Sequence, residues 1–269
     1  MRRRPQGRHL FTFVVVADTH VNQGEEESTS PYICSKRANA RTRRVVAEIN
    51  RIGPELVIHL GDIVNPVPEL PTYADAAGHF KRLTEDLDAP LHLVAGNHDI
   101  GDRPVGWSPA GTVTEAHLAL YESHFGPHFF SFDHEDCHFV VVNSPVINSG
   151  LAAEDAQREW LEGDLARHAG ERTFLCIHYP PYVSDPGEPG HYDNIDEPGR
   201  GWLLDLVARH RPEAMFCGHV HNYWYDVYGE TEVYILPSTA FVRPDYSEMF
   251  RIGPTEEVEF GRDDQPKLG

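Results

Sequence analysis

Five short apolar runs, each followed at once by polar residues, constrain this 269-residue chain more than any other feature. The runs are four to seven residues long and rich in Val, Ile, Leu and Phe, which is typical of buried β-strands. In chain order they are FTFVVVA, ELVIHL, LHLVA, TFLCI and AMFC. Helical patterns with one apolar stripe each cover residues 37–51, 73–87, 153–167 and 202–210. Strands that alternate with helices predict an α/β fold with a largely parallel sheet.

Two further strand pairs are predicted outside this alternation. Residues 129–133 should pair with 138–143, and residues 223–228 with 233–236 around Gly229 in a hairpin. These pairs would add antiparallel strands in a second sheet. The polar or breaker-rich segments 21–36, 100–111 and 183–198 are predicted to be loops, and long loops in a compact domain are commonly functional or mobile.

Composition limits the class of partner. Hydrophobic residues make up 40% of the chain, which excludes wholesale disorder. Lys and Arg number 23 against 42 Asp and Glu, for a formal net charge of −19, and this disfavours a nucleic-acid polymer as partner. A small phosphorylated substrate remains compatible, because bound cations would invert the local field.

The chain shows no sign of a membrane partner or of export. No apolar run approaches the roughly 18 residues that a membrane span requires. The basic N-terminus leads into a short apolar stretch that continues directly into Asp18 and His20, which predicts a buried strand instead of a signal peptide. The four cysteines form no CxxC pair and are predicted to be reduced, so we expect a cytoplasmic protein.

The polar residues after the five runs are those that bind transition metals. In order they are Asp18 and His20, Asp62, Asn97 with His98 and Asp99, His178, and His219 with His221. Each motif alone is weak, but five consecutive strand ends that all deliver Asp, Asn or His form a specific set. Ligands of open α/β sheets bind beyond the carboxyl ends of the strands, where these residues would meet.

Spacing supports shared ligation. Residues i and i+2 of an extended backbone point the same way, so Asp18 and His20 are expected to chelate one ion together. By the same reasoning, His219 and His221 are expected to face one cavity. Glycines precede the ligands where the chain must bend sharply, at Gly61, Gly96 and Gly218.

The donor set indicates the class of metal. Mixed carboxylate and imidazole ligands suit Zn, Fe, Mn or Co better than Ca or Mg. The two oxygens of Asp62 could bridge two metals about 3.5–4 Å apart, as two-metal sites require.

Taken together and in this order, the five blocks resemble those of the calcineurin-like metallophosphoesterase superfamily. The resemblance extends from Asp18 to His221 and implies a four-layer α/β/β/α sandwich with two mixed β-sheets. We expect one such domain over residues 1–269. In proteins of this type the hairpin is often followed by another strand, so we expect a shortened form, or one whose last strand is absent.

The resemblance also implies roles for the ligands. One metal would be held by Asp18, His20 and His221, and the other by Asn97, His178 and His219, with Asp62 between them.

The chemistry expected of such a centre is attack on phosphorus by a hydroxide that both metals share. His98 would act as general acid and protonate the leaving oxygen, since it adjoins Asn97 without being needed as a ligand. Asp99 would either orient His98 or serve only as a cap or turn residue.

Substrate-binding candidates lie in the loops. Tyr192, Asn194 and Arg200 fall between the ligands His178 and His219, and Arg243 follows the last hairpin together with Tyr246. Arg200 could pair with a substrate phosphate, or instead with an acid such as Glu197.

The predicted function is a phosphodiesterase acting on a cyclic nucleotide or another small diester. The alternatives are a phosphomonoesterase, a non-catalytic metal-binding scaffold and a mononuclear metal hydrolase. A scaffold would be expected to lack ligands or the acid, and a mononuclear enzyme would leave half of the ligands idle.

Overall fold

The strands and helices alternate along the chain as predicted. A computed structural model describes residues 7–25, 27–30, 33–106 and 108–241. The strands are β1 Phe13–Val16, β2 Leu56–His59, β3 Leu91–Leu93, β4 Phe130–His134, β5 Cys137–Val142, β6 Arg172–Ile177, β7 Ala214–Cys217, β8 Trp224–Tyr228 and β9 Thr231–Ile235. The helices are α1 Ala38–Ile52, α2 Tyr73–Thr84, α3 Asn97–Ile100, α4 Glu115–Phe125, α5 Ala152–Arg167 and α6 Gly199–His210, with 3₁₀ turns at Ile33–Arg37 and Ser144–Val146.

The strands form two sheets. The first has the order β1-β2-β3 and is wholly parallel, because each of its connections passes through a helix, α1 and then α2. The second has the order β4-β5-β6-β7-β9-β8 and is mixed, with antiparallel strands at both edges. Both predicted strand pairs are therefore confirmed. The expectation of two mixed sheets holds for the second sheet only, since the described strands of the first are all parallel.

Apolar side chains divide the fold into four layers. Between the sheets, Phe139 and Phe174 pack with Ile58, and the ring of Phe13 lies 5.4 Å from that of Phe139. Helix α1 packs on the outer face of the first sheet, and α5 and α6 pack on the outer face of the second. The α/β/β/α sandwich is thereby confirmed.

Burial differs among the strands predicted to be buried. Strand β2 is buried throughout because it lies in the middle of its sheet, whereas β1 and β3 at the edges are half-buried. The apolar stretch near the N-terminus forms β1.

Helix prediction succeeded for the four amphipathic segments, whose ends lie within three residues of those expected. It missed α4 and the single turn α3. The apolar residues of α4 are spread around the helix, and only Leu118 and Tyr121 are buried, so the segment has no clear stripe.

None of the helices in the part of the chain that the structure describes is long and apolar enough to cross a membrane. The single domain over residues 1–269 stays a prediction. The expectation of a missing last strand concerns residues outside the described ranges.

Candidate metal centre

All seven predicted ligands lie at the carboxyl ends of strands and are buried, with at most 3% of any residue exposed. The first sheet contributes four of them and the second contributes three. Asp18 and His20 follow β1, Asp62 follows β2, and Asn97 follows β3. His178 follows β6, and His219 and His221 follow β7.

One group combines Asp18, His20, Asp62 and His221, whose ligand atoms lie within 4.8 Å of one another. His20 Nε2 lies 3.5 Å from Asp62 Oδ2 and 3.1 Å from His221 Nε2. His221 Nε2 lies 3.4 Å from Asp18 Oδ1. This group of donors matches the ligand set predicted for the first cation.

A second group combines Asp62, His178 and His219 within the same 4.8 Å limit. His178 Nε2 lies 3.3 Å from Asp62 Oδ1 and 3.1 Å from Asn97 Oδ1, so the amide oxygen joins this group. Asp62 turns one oxygen toward each group, which is the bridging arrangement expected of it.

The donor chemistry of both groups fits cations. His178 Nδ1 lies 2.8 Å from the Leu60 carbonyl and His221 Nδ1 lies 3.0 Å from the Phe241 carbonyl, so each Nδ1 carries the proton. Each Nε2 consequently points at the oxygen and nitrogen donors of the other ligands in a buried space. That arrangement is unfavourable without a positive charge between the donors, and carbonyl-oriented histidines are usual at metal sites.

Electrostatics support the same conclusion. Burial alone would lower the pKa of His178, but the carboxylate of Asp62 outweighs it and raises that pKa to about 9. Burial and the neighbouring His98 hold the pKa of His20 well below its usual value. Burial opposes ionisation of Asp62, yet His178 and His98 keep its pKa well below the usual range. The carboxylate thus remains charged and available to a cation.

The backbone of the centre corrects one argument made from spacing. Asp18, His20, Asp62, His219 and His221 have φ angles of 54°, 43°, 53°, 68° and 60°, so they are left-handed and not extended. The chain turns sharply as it leaves β1, β2 and β7, and these turns, not a strand-like alternation, aim the five side chains inward. His219 and His221 belong to different ligand groups, as the family resemblance implied.

Two of the three glycines before the ligands allow a close approach of two chain segments. A Cβ at Gly61 would lie 2.7 Å from the Gly96 nitrogen, and a Cβ at Gly96 would collide with the backbone nitrogen of Asp62. Larger residues at either position would push the ends of β2 and β3 apart.

His98 lies beside the bridging carboxylate. Its backbone N–H donates to Asp62 Oδ1 at 2.9 Å, and its ring lies 4.6 Å from that of His20. Its Nδ1 donates to the Asn65 carbonyl at 2.8 Å, which leaves Nε2 available. The side chain is only partly buried, unlike the seven ligands around it. Its role as general acid stays a prediction.

Of the two roles considered for Asp99, its contacts support the turn. Its carboxylate accepts from the backbone N–H groups of Gly96 at 2.8 Å, Ile63 at 2.9 Å and Val64 at 3.2 Å. Burial and the nearby Asp62 raise its pKa to about 8. These bonds tie the turn after β3 to the turn after β2.

The loop candidates for substrate binding are placed differently from one another. The Tyr192 hydroxyl lies 3.4 Å from the Asn97 amide nitrogen, so this residue borders the centre. Asn194 is buried and uses its side chain within the loop, with Glu188 and the Pro189 carbonyl as acceptors. Arg200 is also buried and donates to Glu197 at 2.9 Å, which is the alternative foreseen for it. Arg243 and Tyr246 lie outside the described residues.

Two residues outside the predicted ligand and substrate-binding sets contribute to this region. Arg103 is buried and donates to the carbonyls of His191 at 2.8 Å and Asn194 at 2.6 Å. Asp193 Oδ1 lies 3.6 Å from His219 Nε2. The signal in the sequence was weak, because both residues fall in segments predicted only to be long loops, which are commonly functional or mobile.

Comparison with known proteins agrees with this geometry. A family model described as "Calcineurin-like phosphoesterase" matches residues 11–223. The chain is 29% identical over 190 residues to "Serine/threonine-protein phosphatase CPPED1" of Bos taurus, covering 66% of this chain and 58% of that protein. It is 26% identical over 220 residues to "Probable glycerophosphodiester phosphodiesterase GpdQ" of Arcobacter nitrofigilis, covering 78% of this chain and 71% of that protein. The chain thus spans a little over half the length of the first of these relatives.

Solved structures show the same fold. A dimetal phosphatase from Danio rerio superposes with a TM-score of 0.60 at 14% identity, covering 86% of this chain and 88% of that one. The purple acid phosphatase PPD1 of yellow lupin gives a TM-score of 0.55 at 18% identity, covering 83% of this chain and 43% of that one. With the family model matched over most of the chain and both ligand groups assembled, the chain belongs to the calcineurin-like phosphoesterase family.

Proposed function

We propose that this protein hydrolyses phosphate esters with two transition-metal cations. The observation that carries the proposal is the pair of buried ligand groups that share Asp62, with His98 directly beside the shared carboxylate. Membership of the family supports it, as do the phosphatase and phosphodiesterase relatives. The donor set suits Zn, Fe, Mn or Co.

Each residue has a separate task in this reaction. When bound, the two cations would act as Lewis acids toward water and the phosphate oxygens. Asp18, His20 and His221 would hold one cation, and Asn97, His178 and His219 the other, with Asp62 between. His98 would donate its Nε2 proton to the leaving oxygen, because its Nδ1 proton is held by the Asn65 carbonyl.

The preferred substrate in this proposal is a small phosphodiester, such as a cyclic nucleotide. A phosphomonoester carries about 1.5 to 2 negative charges near pH 7 and a diester carries one. The hydrogen bonds of Arg103 and Arg200 go to carbonyls and carboxylates of the chain itself, and the protein has a net charge of −19. A singly charged substrate suits such surroundings better.

A phosphomonoesterase is the second candidate, and the relatives named serine/threonine-protein phosphatase favour it. A non-catalytic scaffold has less support, because all seven ligands and His98 are present and assembled.

The test is a comparison of substrates with the metal-reconstituted full chain. We expect a higher kcat/KM for bis(p-nitrophenyl) phosphate and cyclic nucleotides than for p-nitrophenyl phosphate, and loss of all activity in Asp62→Asn. Preference for the monoester would favour the second candidate. Inactivity on every substrate with two cations bound would contradict the hydrolase.

We also propose a cytoplasmic location. Cys137, Cys176 and Cys217 are buried and form no disulfide, which suits a reducing compartment. Cell fractionation would test it.

A further inference from the structure

Tyr192 contacts two of the ligands assigned to the second cation. It belongs to the loop between β6 and α6 and is half-buried. Its backbone carbonyl lies 3.1 Å from His219 Nε2, and its ring lies 4.7 Å from the ring of that histidine. Its hydroxyl oxygen lies 3.4 Å from Asn97 Nδ2. One loop residue therefore reaches an imidazole ligand through its backbone and an amide ligand through its side chain.

The carbonyl of Tyr192 determines which nitrogen of His219 can bind a cation. A carbonyl oxygen only accepts, so His219 Nε2 carries the ring proton and the lone pair is on Nδ1. His178 and His221 have the opposite arrangement, because their Nδ1 atoms donate to backbone carbonyls. The ring of His219 is thus held through its other nitrogen, and the acceptor that holds it comes from the loop.

The hydroxyl of Tyr192 bears on which atom of the Asn97 amide faces the cation. Asn97 Oδ1 lies 3.1 Å from His178 Nε2, within the second group, and Asn97 Nδ2 donates to the hydroxyl. An amide nitrogen offers a metal no lone pair, so an amide turned by 180° would cease to be a ligand. The phenol oxygen gives Nδ2 an acceptor in the orientation that leaves Oδ1 for the cation.

The backbone around Tyr192 is held on both sides. The buried guanidinium of Arg103 donates to the carbonyls of His191 at 2.8 Å and Asn194 at 2.6 Å. The Asn194 side chain accepts from the His191 N–H at 2.9 Å and closes the same turn. These bonds fix the carbonyl and the side chain of Tyr192 relative to the centre.

We propose that Tyr192 is a positioning residue for the second cation. It orients His219 through its carbonyl and Asn97 through its hydroxyl, and so raises the affinity of that site. The carbonyl that orients His221, a ligand of the first cation, belongs instead to Phe241. The effect of Tyr192 should therefore be confined to the second cation.

The first experiment measures metal binding and not turnover. Full-length wild type, Tyr192→Phe and Tyr192→Ala are freed of metal and titrated with Mn²⁺ and with Zn²⁺ by calorimetry, and retained metal is counted by elemental analysis. Asn97→Ala identifies which binding step belongs to the second cation. Tyr225→Phe, which removes a hydroxyl from an exposed tyrosine on β8, is the matched control.

We expect Tyr192→Phe to bind the second cation about 10-fold more weakly and the first cation as wild type does, because only the acceptor of Asn97 Nδ2 is lost. Tyr192→Ala should bind the second cation up to about 100-fold more weakly, since the packing on the His219 ring is lost as well. The control should match wild type. Wild-type affinity for the second cation in Tyr192→Phe would overturn the proposal, as would equal weakening of both cations.

The second experiment determines which nitrogen of His219 binds the metal. Long-range proton–nitrogen correlation spectra of the Zn²⁺-loaded protein distinguish a protonated ring nitrogen from one bound to metal, and His219→Gln assigns the signals. We expect the proton on Nε2 and the metal on Nδ1, in wild type and also in Tyr192→Phe, which keeps the carbonyl. Metal bound to Nε2 would overturn the proposal, because the Tyr192 carbonyl would then have no proton to accept.

Retention of the first cation shows that a variant is folded, and Tyr192→Phe keeps the ring in place if Tyr192→Ala fails to fold. The proposal rests on the two-cation centre proposed above. Wild type that binds a single cation would contradict that centre, whereas two cations in wild type with an unchanged second site in Tyr192→Phe would contradict only the role of Tyr192.

Discussion

Five of the seven ligand residues hold a left-handed backbone, and this affects how their substitution must be interpreted. Among residues other than glycine, Asn and Asp tolerate that conformation best. Replacing Asp18 or Asp62 by Asn therefore removes the charge and largely preserves the backbone preference. Replacement by Ala adds a conformational cost to the loss of the ligand, so alanine variants would overstate what ligation contributes.

His98→Ala is expected to keep both cations and lose turnover selectively. An acid that protonates the leaving oxygen matters most when that oxygen is basic, so kcat should fall about 10²–10⁴-fold for alkyl esters and much less for nitrophenyl esters. Steady-state kinetics on a series of leaving groups, with metal content measured in parallel, would check this. An equal loss across the series would contradict the acid role.

His59 should make the metal-free protein sensitive to acid. It is buried, lies 2.8 Å from the Thr19 hydroxyl and accepts from the Gly61 N–H. Burial, assisted by His178, lowers its pKa to about 3. Between pH 6.5 and 3 the unfolded chain therefore binds the extra proton, and the free energy of unfolding should fall by up to about 1.4 kcal/mol for each pH unit lost.

Urea unfolding of the chelated protein at pH 7, 6, 5 and 4 would measure this effect. The matched variant is His59→Gln, which cannot take up the proton and should have a shallower dependence on pH. If the free energy of unfolding fell equally with pH in the two proteins, His59 would not be a source of the acid sensitivity.

At the scale of elements, two loops meet through Arg103. Its guanidinium lies 3.3 Å from Asp102 and 4.5 Å from the ring of Tyr179, whose hydroxyl donates to Asp102 at 2.8 Å. The ring of Tyr179 lies 4.1 Å from that of His219. The network thus connects the loop after α3, the loop after β6 and the metal centre.

Arg103→Met should destabilise the protein and loosen the segment 183–198. The change leaves Asp102 buried without its charged partner, so we expect a loss of about 3–5 kcal/mol in the free energy of unfolding. Limited proteolysis should cleave the segment faster than in wild type. Arg172→Met, which breaks an exposed pair with Glu213, should cost less than about 1 kcal/mol. Equal effects of the two substitutions would contradict this role.

The elements also explain which parts of the centre the sequence could reveal. A change from apolar to ligand-type residues is visible wherever a strand ends, so Asp62 and His178 could be identified at once. The sequence does not show whether a polar side chain in a loop is used internally, and for that reason Asn194 and Arg200 were expected to face substrate. Left-handed turns were equally hidden, because at Asp18 no glycine marks them.

At the scale of the whole molecule, the centre joins the two sheets. The first group takes three ligands from the first sheet and His221 from the second, and the second group takes His178 and His219 from the second sheet. Bound cations would therefore connect the two sheets as well as support the chemistry.

Removing the cations should lower the stability of the entire fold. A ligand present at 100 times its Kd stabilises the native state by about 2.7 kcal/mol for each site. Thermal unfolding with chelator, and then with added Mn²⁺, should show a fall and a recovery of Tm. The Tm of Asp62→Asn should depend much less on chelator and added Mn²⁺. A Tm that does not depend on metal would contradict the connecting role.

The path of the chain between the sheets has a practical consequence. Strands β1–β3 end at Leu93 and β4 begins at Phe130, so a cut at Gly126 would separate the sheets without dividing either. The first piece would contain four of the ligands and the second piece three, and neither would complete a group. Hydrolysis would then occur only where the two pieces meet. A split version of this protein could accordingly report, through a colour change, that two fused partners have come together.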